Sequence, residues 1–414
     1  MKVTRRSWIG KTIYLTVASP ILLKAHNSRS GFSVTEIEKR LQSGKGLEGV
    51  GKDDLPTPAL VLDLDLLESN IEKMSHHAKA SSIQLRPHAK THKCGEIARR
   101  QIGAGALGVC TSTIHEAEAL AAAGIKGLLI TSELVGRNKI ERLARLTRKQ
   151  PDTLTVVDNL AHAEQLDEAA GVAKITLNVM IDIDPIGRRT GVLPGNEAFG
   201  LAEQVMKLSH LKLRGIHSYS GASSHVQGFE ARQEHSAMVM QAPLETFFRM
   251  QKAGMPVEIF SGGSTGTYNI DPALKGMTEL QVGSYVFMDV DYRRIGGQSG
   301  AVYEDFASSL SVLATVMSKN HADRATVDAG YKAFATDRKF GPEIKGVTGV
   351  EYQFNGDEHG ALLLNNPSRE IRLGDRVEFI VPHCDPNVNL YDRYYCLRGD
   401  RVVAVWPVAG RGYS

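Results

Sequence analysis

One short stretch of this chain places a lysine among several other basic side chains. Lys90 follows a short apolar run and stands beside His88, His92 and Lys93. Neighbouring positive charge and partial burial both disfavour a protonated amine, so the pattern predicts a lowered pKa for Lys90. A deprotonated lysine can carry a carbonyl cofactor covalently. A solvated basic turn has the same composition, so the stretch alone leaves both interpretations open.

A second candidate is the segment 261–267, which is rich in glycine and hydroxyl side chains. After a short apolar run it contains Gly262, Gly263, Ser264, Thr265 and Gly266. Glycines let the backbone approach a ligand closely, and successive N–H groups with hydroxyls can bind an anion. The segment therefore predicts a phosphate site, and the alternative is an ordinary flexible loop.

A third candidate pairs a histidine with an aspartate near the end of the chain. His383 and Asp385 are separated by Cys384. On an extended segment, alternate side chains project to the same side, so the pair could bind one divalent metal while Cys384 faces away. The alternative is a structural histidine beside a capping aspartate.

Alternating β-type and helical patterns must position these groups. Apolar runs typical of strands lie at 57–63, 83–86, 107–110, 127–131, 154–157, 175–182, 212–219, 258–261 and 280–288. Helical spacing of apolar residues lies between them, at 66–80, 114–123, 139–148, 161–170, 197–208 and 231–253. This alternation predicts an α/β fold with a (β/α)8 TIM barrel over 57–296. Nine runs compete for eight places, so one must lie elsewhere.

The last part of the chain has a different sequence pattern. Short β-type runs at 310–317, 324–327, 349–354, 361–364, 376–381 and 401–406 are joined by turn-rich pieces. This pattern predicts a C-terminal antiparallel β domain over 297–414. In barrel enzymes the chemistry lies at the C-terminal ends of the strands, where Lys90 and 261–267 are placed.

The N-terminus reads as an export signal over residues 1–25. Arg5 and Arg6 precede an uncharged apolar run, 12–23, and the arginine pair resembles a twin-arginine signal. We therefore expect a periplasmic protein, and the run is too short for a stable membrane anchor. A disordered basic N-terminus is the alternative. Residues 26–56 are expected to form a linker with one helix at 35–41.

Composition excludes some classes of partner and scaffold. The chain has 414 residues and a formal net charge of +3 without a basic tail, so nucleic acid is not indicated. Its four cysteines are scattered and form no C-x-x-C pair, which argues against a disulfide scaffold.

Segment 87–93, read together with 57–63 upstream, resembles the cofactor segment of the alanine-racemase-like, fold type III pyridoxal-phosphate enzymes. Within them it looks most like the D-threonine aldolase and D-serine dehydratase branch. The resemblance implies that Lys90, rather than Lys93, carries pyridoxal 5'-phosphate. It also implies a homodimer of barrel and β domain, with the run 57–63 joining the β domain.

The same resemblance suggests further site residues. Arg189 would bond the pyridoxal phenolic oxygen, with Arg188 as a possible substitute. Tyr219 would lie near the cofactor ring or phosphate, although alone it would more often be a core tyrosine. His225, on the loop after the same strand, could act as acid or base, and the alternative is a solvated loop histidine.

Position 385 bears on the reaction. The dehydratase branch has cysteine there and binds zinc, whereas aspartate resembles the D-threonine aldolases, which use manganese or magnesium. We therefore expect a metal-dependent aldolase that cleaves D-3-hydroxy amino acids to glycine and an aldehyde. A D-serine or D-threo-3-hydroxyaspartate dehydratase, an amino-acid racemase and a non-catalytic pyridoxal-phosphate carrier remain as alternatives.

Overall fold

The computed structural model describes residues 33–42, 47–186 and 188–412. The export signal predicted at 1–25 lies outside the described residues. Two sheets organise the chain, one of eight strands and one of nine. Among the described residues, no helix combines the length and the apolar character needed to cross a membrane.

The bounds of the elements follow in chain order. The helices are α1 (Val34–Gln42), α2 (Leu64–Ala80), α3 (Gly95–Gly103), α4 (Ile114–Ala122), α5 (Arg137–Lys149), α6 (Leu160–Ala173), α7 (Asn196–Val205), α8 (Gly221–Ser224), α9 (Phe229–Lys252), α10 (Val290–Arg293) and α11 (Cys384–Val388). The strands are β1 (Ala59–Asp63), β2 (Gln84–Leu85), β3 (Cys110–Thr111), β4 (Leu129–Ile130), β5 (Leu154–Val157), β6 (Leu177–Asp182), β7 (Leu211–Ser218), β8 (Ile259–Gly262), β9 (Glu279–Leu280), β10 (Leu310–His321), β11 (Arg324–Val327), β12 (Glu343–Ile344), β13 (Val350–Phe354), β14 (Gly360–Leu364), β15 (Arg376–Ile380), β16 (Arg393–Arg398) and β17 (Arg401–Pro407).

The eight-stranded sheet is the predicted barrel. Its strands run parallel in the order β2-β9-β8-β7-β6-β5-β4-β3. The two end strands also meet, because Ala89 N–H donates to Cys110 O and Cys110 N–H donates to Pro87 O, each at 2.8 Å. The eight-stranded sheet therefore closes on itself, and the prediction of a TIM barrel is confirmed.

Amphipathic helices cover the barrel, as their sequence spacing predicts. In α5 the residues Ile140, Leu143, Ala144 and Thr147 are buried, which places the apolar face on one side of the helix. Helix α4 begins with a capping box in which the Thr113 hydroxyl accepts from the Glu116 N–H. Such caps fix the residue at which each helix begins and so the position of the loop that follows the preceding strand.

The second sheet includes the first strand of the chain. β1 pairs antiparallel with β10 and parallel with β16. The prediction that 57–63 lies outside the barrel is therefore confirmed, and the predicted barrel segment 57–296 is corrected at its start. Strands β12 and β16 were not predicted. β16 is buried on both faces over 394–397, so it lacks the alternation that marks a half-buried strand.

Backbone contacts bring the second domain over the barrel. Val290 N–H donates to Val381 O at 3.0 Å, and Asp291 N–H donates to Pro382 O at 3.1 Å. In addition, Asp289 Oδ2 accepts from the Cys384 N–H at 2.8 Å. These contacts place the start of α11 at the C-terminal end of the barrel strands. All four cysteines are free and buried.

Candidate functional site

Lys90 lies just beyond β2, at the predicted end of the barrel. Its side chain is 40% exposed, and its Nζ lies 3.4 Å from Asp385 Oδ1. This carboxylate raises the pKa of Lys90, with burial acting against it. The prediction of a lowered Lys90 pKa is therefore wrong for the chain without a cofactor, because Asp385 comes from a distant part of the sequence.

The basic neighbours of Lys90 are buried structural groups. His88 Nε2 lies 3.0 Å from Thr131 Oγ1, and His92 Nε2 lies 3.2 Å from Gln101 Oε1. Burial lowers the pKa of both rings, that of His92 to about 3, so both are neutral. They therefore add no positive charge beside Lys90.

Lys93 ties the same turn to the second domain. Its Nζ donates to Lys90 O and, at 3.3 Å, to Asp385 O. The residue is only 7% exposed and has a φ of 51°. Because its amine is engaged with backbone carbonyls, Lys93 has a structural position, whereas the Lys90 amine remains accessible.

His383 and Asp385 come together at the start of α11. Their Nε2 and Oδ2 atoms lie 3.6 Å apart. The premise of an extended segment is wrong: His383 is the extended N-cap, whereas Asp385 lies in the first turn of the helix. Cys384 between them is fully buried.

Neighbouring charges keep Asp385 ionised and His383 protonated. Burial opposes ionisation of Asp385, but the positive charges of Lys90 and His383 outweigh it and hold its pKa well below the usual range. Burial likewise lowers the pKa of His383, but Asp385 outweighs it and raises that pKa to about 9. Asp337 Oδ2 lies 2.6 Å from His383 Nδ1. In metal proteins a carboxylate at the remote ring nitrogen orients a ligating histidine.

The pair supplies only two protein donors. Over 33–42, 47–186 and 188–412, no group of three or more histidine, cysteine, aspartate or glutamate side chains is placed to hold a metal ion. A cation at His383 and Asp385 would take its other ligands from water or substrate. Hard divalent cations such as Mg²⁺ usually keep several waters in protein sites.

The segment 262–267 is tightly packed against the loop after β7. A Cβ added at Gly262 would lie 2.3 Å from Ser218 O, and one at Gly266 would lie 2.1 Å from Ser224 O. Gly263 has a φ of 73°, which also favours glycine. The predicted phosphate segment is therefore a buried and fixed turn of the backbone at the barrel mouth.

A buried arginine holds this turn from behind. Arg232, in α9, is fully buried. It donates to five backbone carbonyls, those of Val226, Gly228, Gly266, Ile295 and Gly296. Arg232 thus connects the 262–267 turn to the chain after α8 and to the end of the barrel.

Arg189 and Tyr219 lie together beside a cavity of about 300 Å³ at the ends of β6 and β7. The Arg189 guanidinium carbon is 5.2 Å from the centre of the Tyr219 ring. Both side chains act on Lys90, because Tyr219 raises its pKa and Arg189 lowers it, after the larger effects of Asp385 and burial. Arg188, at a φ of 52°, instead donates its backbone N–H to Asp184.

His225 ends α8 and faces the second domain. Its Nδ1 lies 3.2 Å from Gly221 O, and its ring packs on Tyr292 with centroids 4.8 Å apart. Its Nε2 lies 3.1 Å from Asp291 Oδ2, outside hydrogen-bond geometry. A carbonyl oxygen can only accept, so the neutral ring carries its proton on Nδ1, and the Nε2 lone pair faces the Asp291 carboxylate.

Sequence reasoning missed four groups at this site. Arg232 is hidden in a long helical pattern, and Asp337 and Arg338 lie in an irregular loop. Asp291 could have been noticed, because Asp289 and Asp291 form an Asp-x-Asp pattern just before the change in sequence pattern at 297.

Comparison with known proteins gives two family matches along the chain. Residues 62–291 match the family described as alanine racemase, N-terminal domain. Residues 309–397 match a serine dehydratase domain.

Individual relatives match almost the whole chain. It is 34% identical to 3-hydroxy-D-aspartate aldolase of Paracoccus denitrificans (strain Pd 1222), over 93% of this chain and 99% of that protein. It is 35% identical to D-threonine aldolase of Arthrobacter sp, over 86% and 93%. The crystal structure of D-threonine aldolase from Filomicrobium marinum matches with a TM-score of 0.83 at 36% identity, covering 87% of this chain and 96% of that one.

Proposed function

The chain belongs to the alanine-racemase-like, fold type III family of pyridoxal-phosphate enzymes, and from this membership we propose an aldolase that cleaves D-3-hydroxy amino acids of the D-threonine type to glycine and an aldehyde. The observation that carries the proposal is the placement of Asp385. Its carboxylate lies 3.6 Å from His383 Nε2 and 3.4 Å from Lys90 Nζ. A cation bound by His383 and Asp385 and a cofactor attached to Lys90 would therefore contact the same substrate molecule.

The residues present fit pyridoxal phosphate. Lys90 offers an accessible amine, and the buried 262–267 turn carries glycines and hydroxyl side chains at the barrel mouth. Arg189 and Tyr219 line the cavity at the ends of β6 and β7. When bound, the cofactor supplies an electron-accepting ring that stabilises negative charge at the substrate Cα. We assign attachment to Lys90, phosphate binding to 262–267 and contacts with the ring to Arg189 and Tyr219.

His383 and Asp385 would hold a divalent metal, which supplies Lewis acidity towards a hydroxyl oxygen. We propose Mn²⁺ or Mg²⁺ rather than Zn²⁺, because carboxylate is a hard oxygen ligand and no thiolate is available at the pair. Cys384 does not provide one, since burial raises its pKa well above the usual value and it faces Asp289.

The proton balance assigns a role to His225. Cleavage breaks the Cα–Cβ bond, the 3-hydroxyl loses its proton as the aldehyde forms, and Cα gains a proton as glycine forms. His225 would accept the hydroxyl proton at Nε2, because Nδ1 is held by Gly221 O. Its packing on Tyr292 orients the ring for this transfer.

The product assay tests the proposed reaction. With D-threonine and Mn²⁺, the purified protein is expected to form acetaldehyde and glycine, and chelation is expected to stop the reaction without removing the cofactor colour. Formation of 2-oxobutyrate from D-threonine, or of pyruvate from D-serine, with ammonia would establish the dehydratase instead. Tight stoichiometric zinc in the purified protein would support that second outcome.

The attachment site needs its own test. Lys90→Ala should lose the visible absorbance of the bound cofactor, whereas Lys93→Ala should retain it if the protein folds. Borohydride reduction followed by peptide mapping identifies the labelled lysine directly. A label on Lys93 would refute the assignment to Lys90.

Two further proposals rest on sequence resemblance alone. We propose a homodimer, which sedimentation equilibrium would test through the mass of the assembly. We also propose export to the periplasm through Arg5 and Arg6, and replacement of both by lysine should leave the precursor in the cytoplasm. Normal export of that variant would reject the second proposal.

A further inference from the structure

Three charged residues form a continuous bridge between His383 and His225. Asp337 and Arg338 lie in the loop between β11 and β12, and Asp291 lies in α10. The bridge thus joins the second domain to the end of the barrel. None of the three was predicted from sequence.

One half of the bridge holds His383. Asp337 Oδ2 lies 2.6 Å from His383 Nδ1 and 2.9 Å from Arg338 Nη1. Because a carboxylate accepts only, it fixes the proton of the His383 ring on Nδ1. If a metal displaced the second proton of this ring, the remaining proton would stay on Nδ1, and Nε2, which faces Asp385, would be left to bind the metal.

The other half of the bridge holds His225. Arg338 Nε and Nη2 lie 2.8 and 2.7 Å from Asp291 Oδ2. The same oxygen lies 3.1 Å from His225 Nε2, so Asp291 would bind the protonated ring once Nε2 has taken up the hydroxyl proton. A planar guanidinium holds carboxylates in a defined geometry, so Arg338 sets the separation between Asp337 and Asp291.

We propose that Asp337, Arg338 and Asp291 act as one positioning unit that holds the His383 ring for the metal and the His225 ring for the substrate hydroxyl. The inference rests on the proposed function, which makes His383 a metal ligand and His225 a proton acceptor. The three side chains would touch neither cofactor nor metal, so they are positioning residues.

A purely stabilising ion-pair network is the competing explanation, and exposure argues against it. The side chains of Asp337 and Arg338 are 36% and 29% exposed, and ion pairs at such positions contribute little to stability. The unit should therefore be visible in metal affinity and turnover more than in the unfolding temperature.

Titration of the cofactor-loaded enzyme with Mn²⁺ tests the first half. Asp337→Ala is expected to weaken Mn²⁺ binding by about 10–100-fold, and Asp337→Asn, which keeps one acceptor for Nδ1–H, by less. The matched control is Glu358→Ala, which removes an exposed carboxylate paired with Lys332 in the same domain. It should leave Mn²⁺ affinity unchanged. Unfolding temperatures of all variants should agree within about 4 °C.

A double-mutant cycle on kcat tests whether the bridge acts as a unit. Arg338→Met should lower kcat with a smaller change in KM, and Arg338→Lys should restore part of the loss. If the residues act together, Asp337→Ala combined with Asp291→Ala loses little more than the worse single variant.

The outcomes separate the two proposals. Unchanged Mn²⁺ affinity in Asp337→Ala, or fully multiplicative losses in the cycle, would overturn the positioning unit while the wild-type aldolase activity stands. Wild-type protein that binds no Mn²⁺ and cleaves no D-3-hydroxy amino acid would overturn the proposed function and this inference together.

Discussion

Two corners of the site are built in different ways. The loop corner consists of the 262–267 turn and Arg232, and backbone carbonyls hold it through a fully buried guanidinium. The metal corner consists of His383, Asp385 and Asp337, and charged side chains hold it at partly exposed positions. Exposure of these three side chains is 20%, 16% and 36%.

This difference separates the architectural part of the site from its chemical part. In the loop corner a lost contact leaves buried polar atoms without partners, which costs folding free energy. In the metal corner a lost charge can be replaced by water, so the cost falls on ligand binding. Substitutions in the two corners should therefore change different measurements.

The largest effect on stability is expected from Arg232→Met. Several buried carbonyls would lose their donors at about 1–3 kcal/mol each, so the free energy of unfolding should fall by at least about 3 kcal/mol. The matched control is Arg249→Met in the same helix, because Arg249 is exposed and packs on Phe199. Chemical denaturation would measure both variants, and equal small losses would show that the loop corner is not held from behind by Arg232.

A smaller loss of stability is expected from Gly266→Ala. Its Cβ would lie 2.1 Å from Ser224 O, so two loops must separate, at a cost of about 1–3 kcal/mol. Gly200→Ala is the control, since no heavy atom lies within 4 Å of its added Cβ and the residue is in α7. That control should gain up to about 1 kcal/mol. If both variants have the same free energy of unfolding, the 262–267 turn is not packed as tightly as proposed for the loop corner.

The two corners also differ in how far the sequence predicted them. Local signals sufficed for the 262–267 turn of the loop corner, because its glycines and the apolar run before them lie together in the chain. The barrel likewise followed from periodicity, since each strand and helix repeats the same local pattern. Arg232 was missed because an amphipathic helix can carry a buried arginine without any change in the spacing of its apolar residues.

Long-range charge was beyond sequence reasoning in the metal corner. The sign of the Lys90 pKa shift depends on Asp385, whose approach to β2 depends on the packing of two domains. The pairing of His383 with Asp385 was predicted, but from an extended segment, whereas α11 begins between them. Asp337 became visible only when the loop after β11 was placed against His383.

The smallest change in stability is expected from Asp385→Asn, although its effect on metal binding should be large. Without the carboxylate, Lys90 and His383 lose a shared partner, but His383 also loses the charge that raises its pKa to about 9. The His383 pKa would then fall, although Asp289 and Asp337 still raise it, and a less protonated ring is repelled less by Lys90. The free energy of unfolding should therefore change by about 1 kcal/mol or less.

Chemical denaturation and Mn²⁺ titration of the same Asp385→Asn sample show whether the variant loses stability, as expected in the loop corner, or metal affinity, as expected in the metal corner. An amide oxygen is a neutral and weaker ligand than a carboxylate, so Mn²⁺ affinity should fall by at least about 10-fold, and the metal-dependent cleavage with it. Glu358→Gln, which changes an exposed carboxylate of the second domain in the same way, should alter neither measurement. The opposite outcome is a loss of stability in Asp385→Asn as large as that in Arg232→Met. That result would contradict the comparison, because it would show that the charges of the metal corner are needed for the two domains to pack against each other.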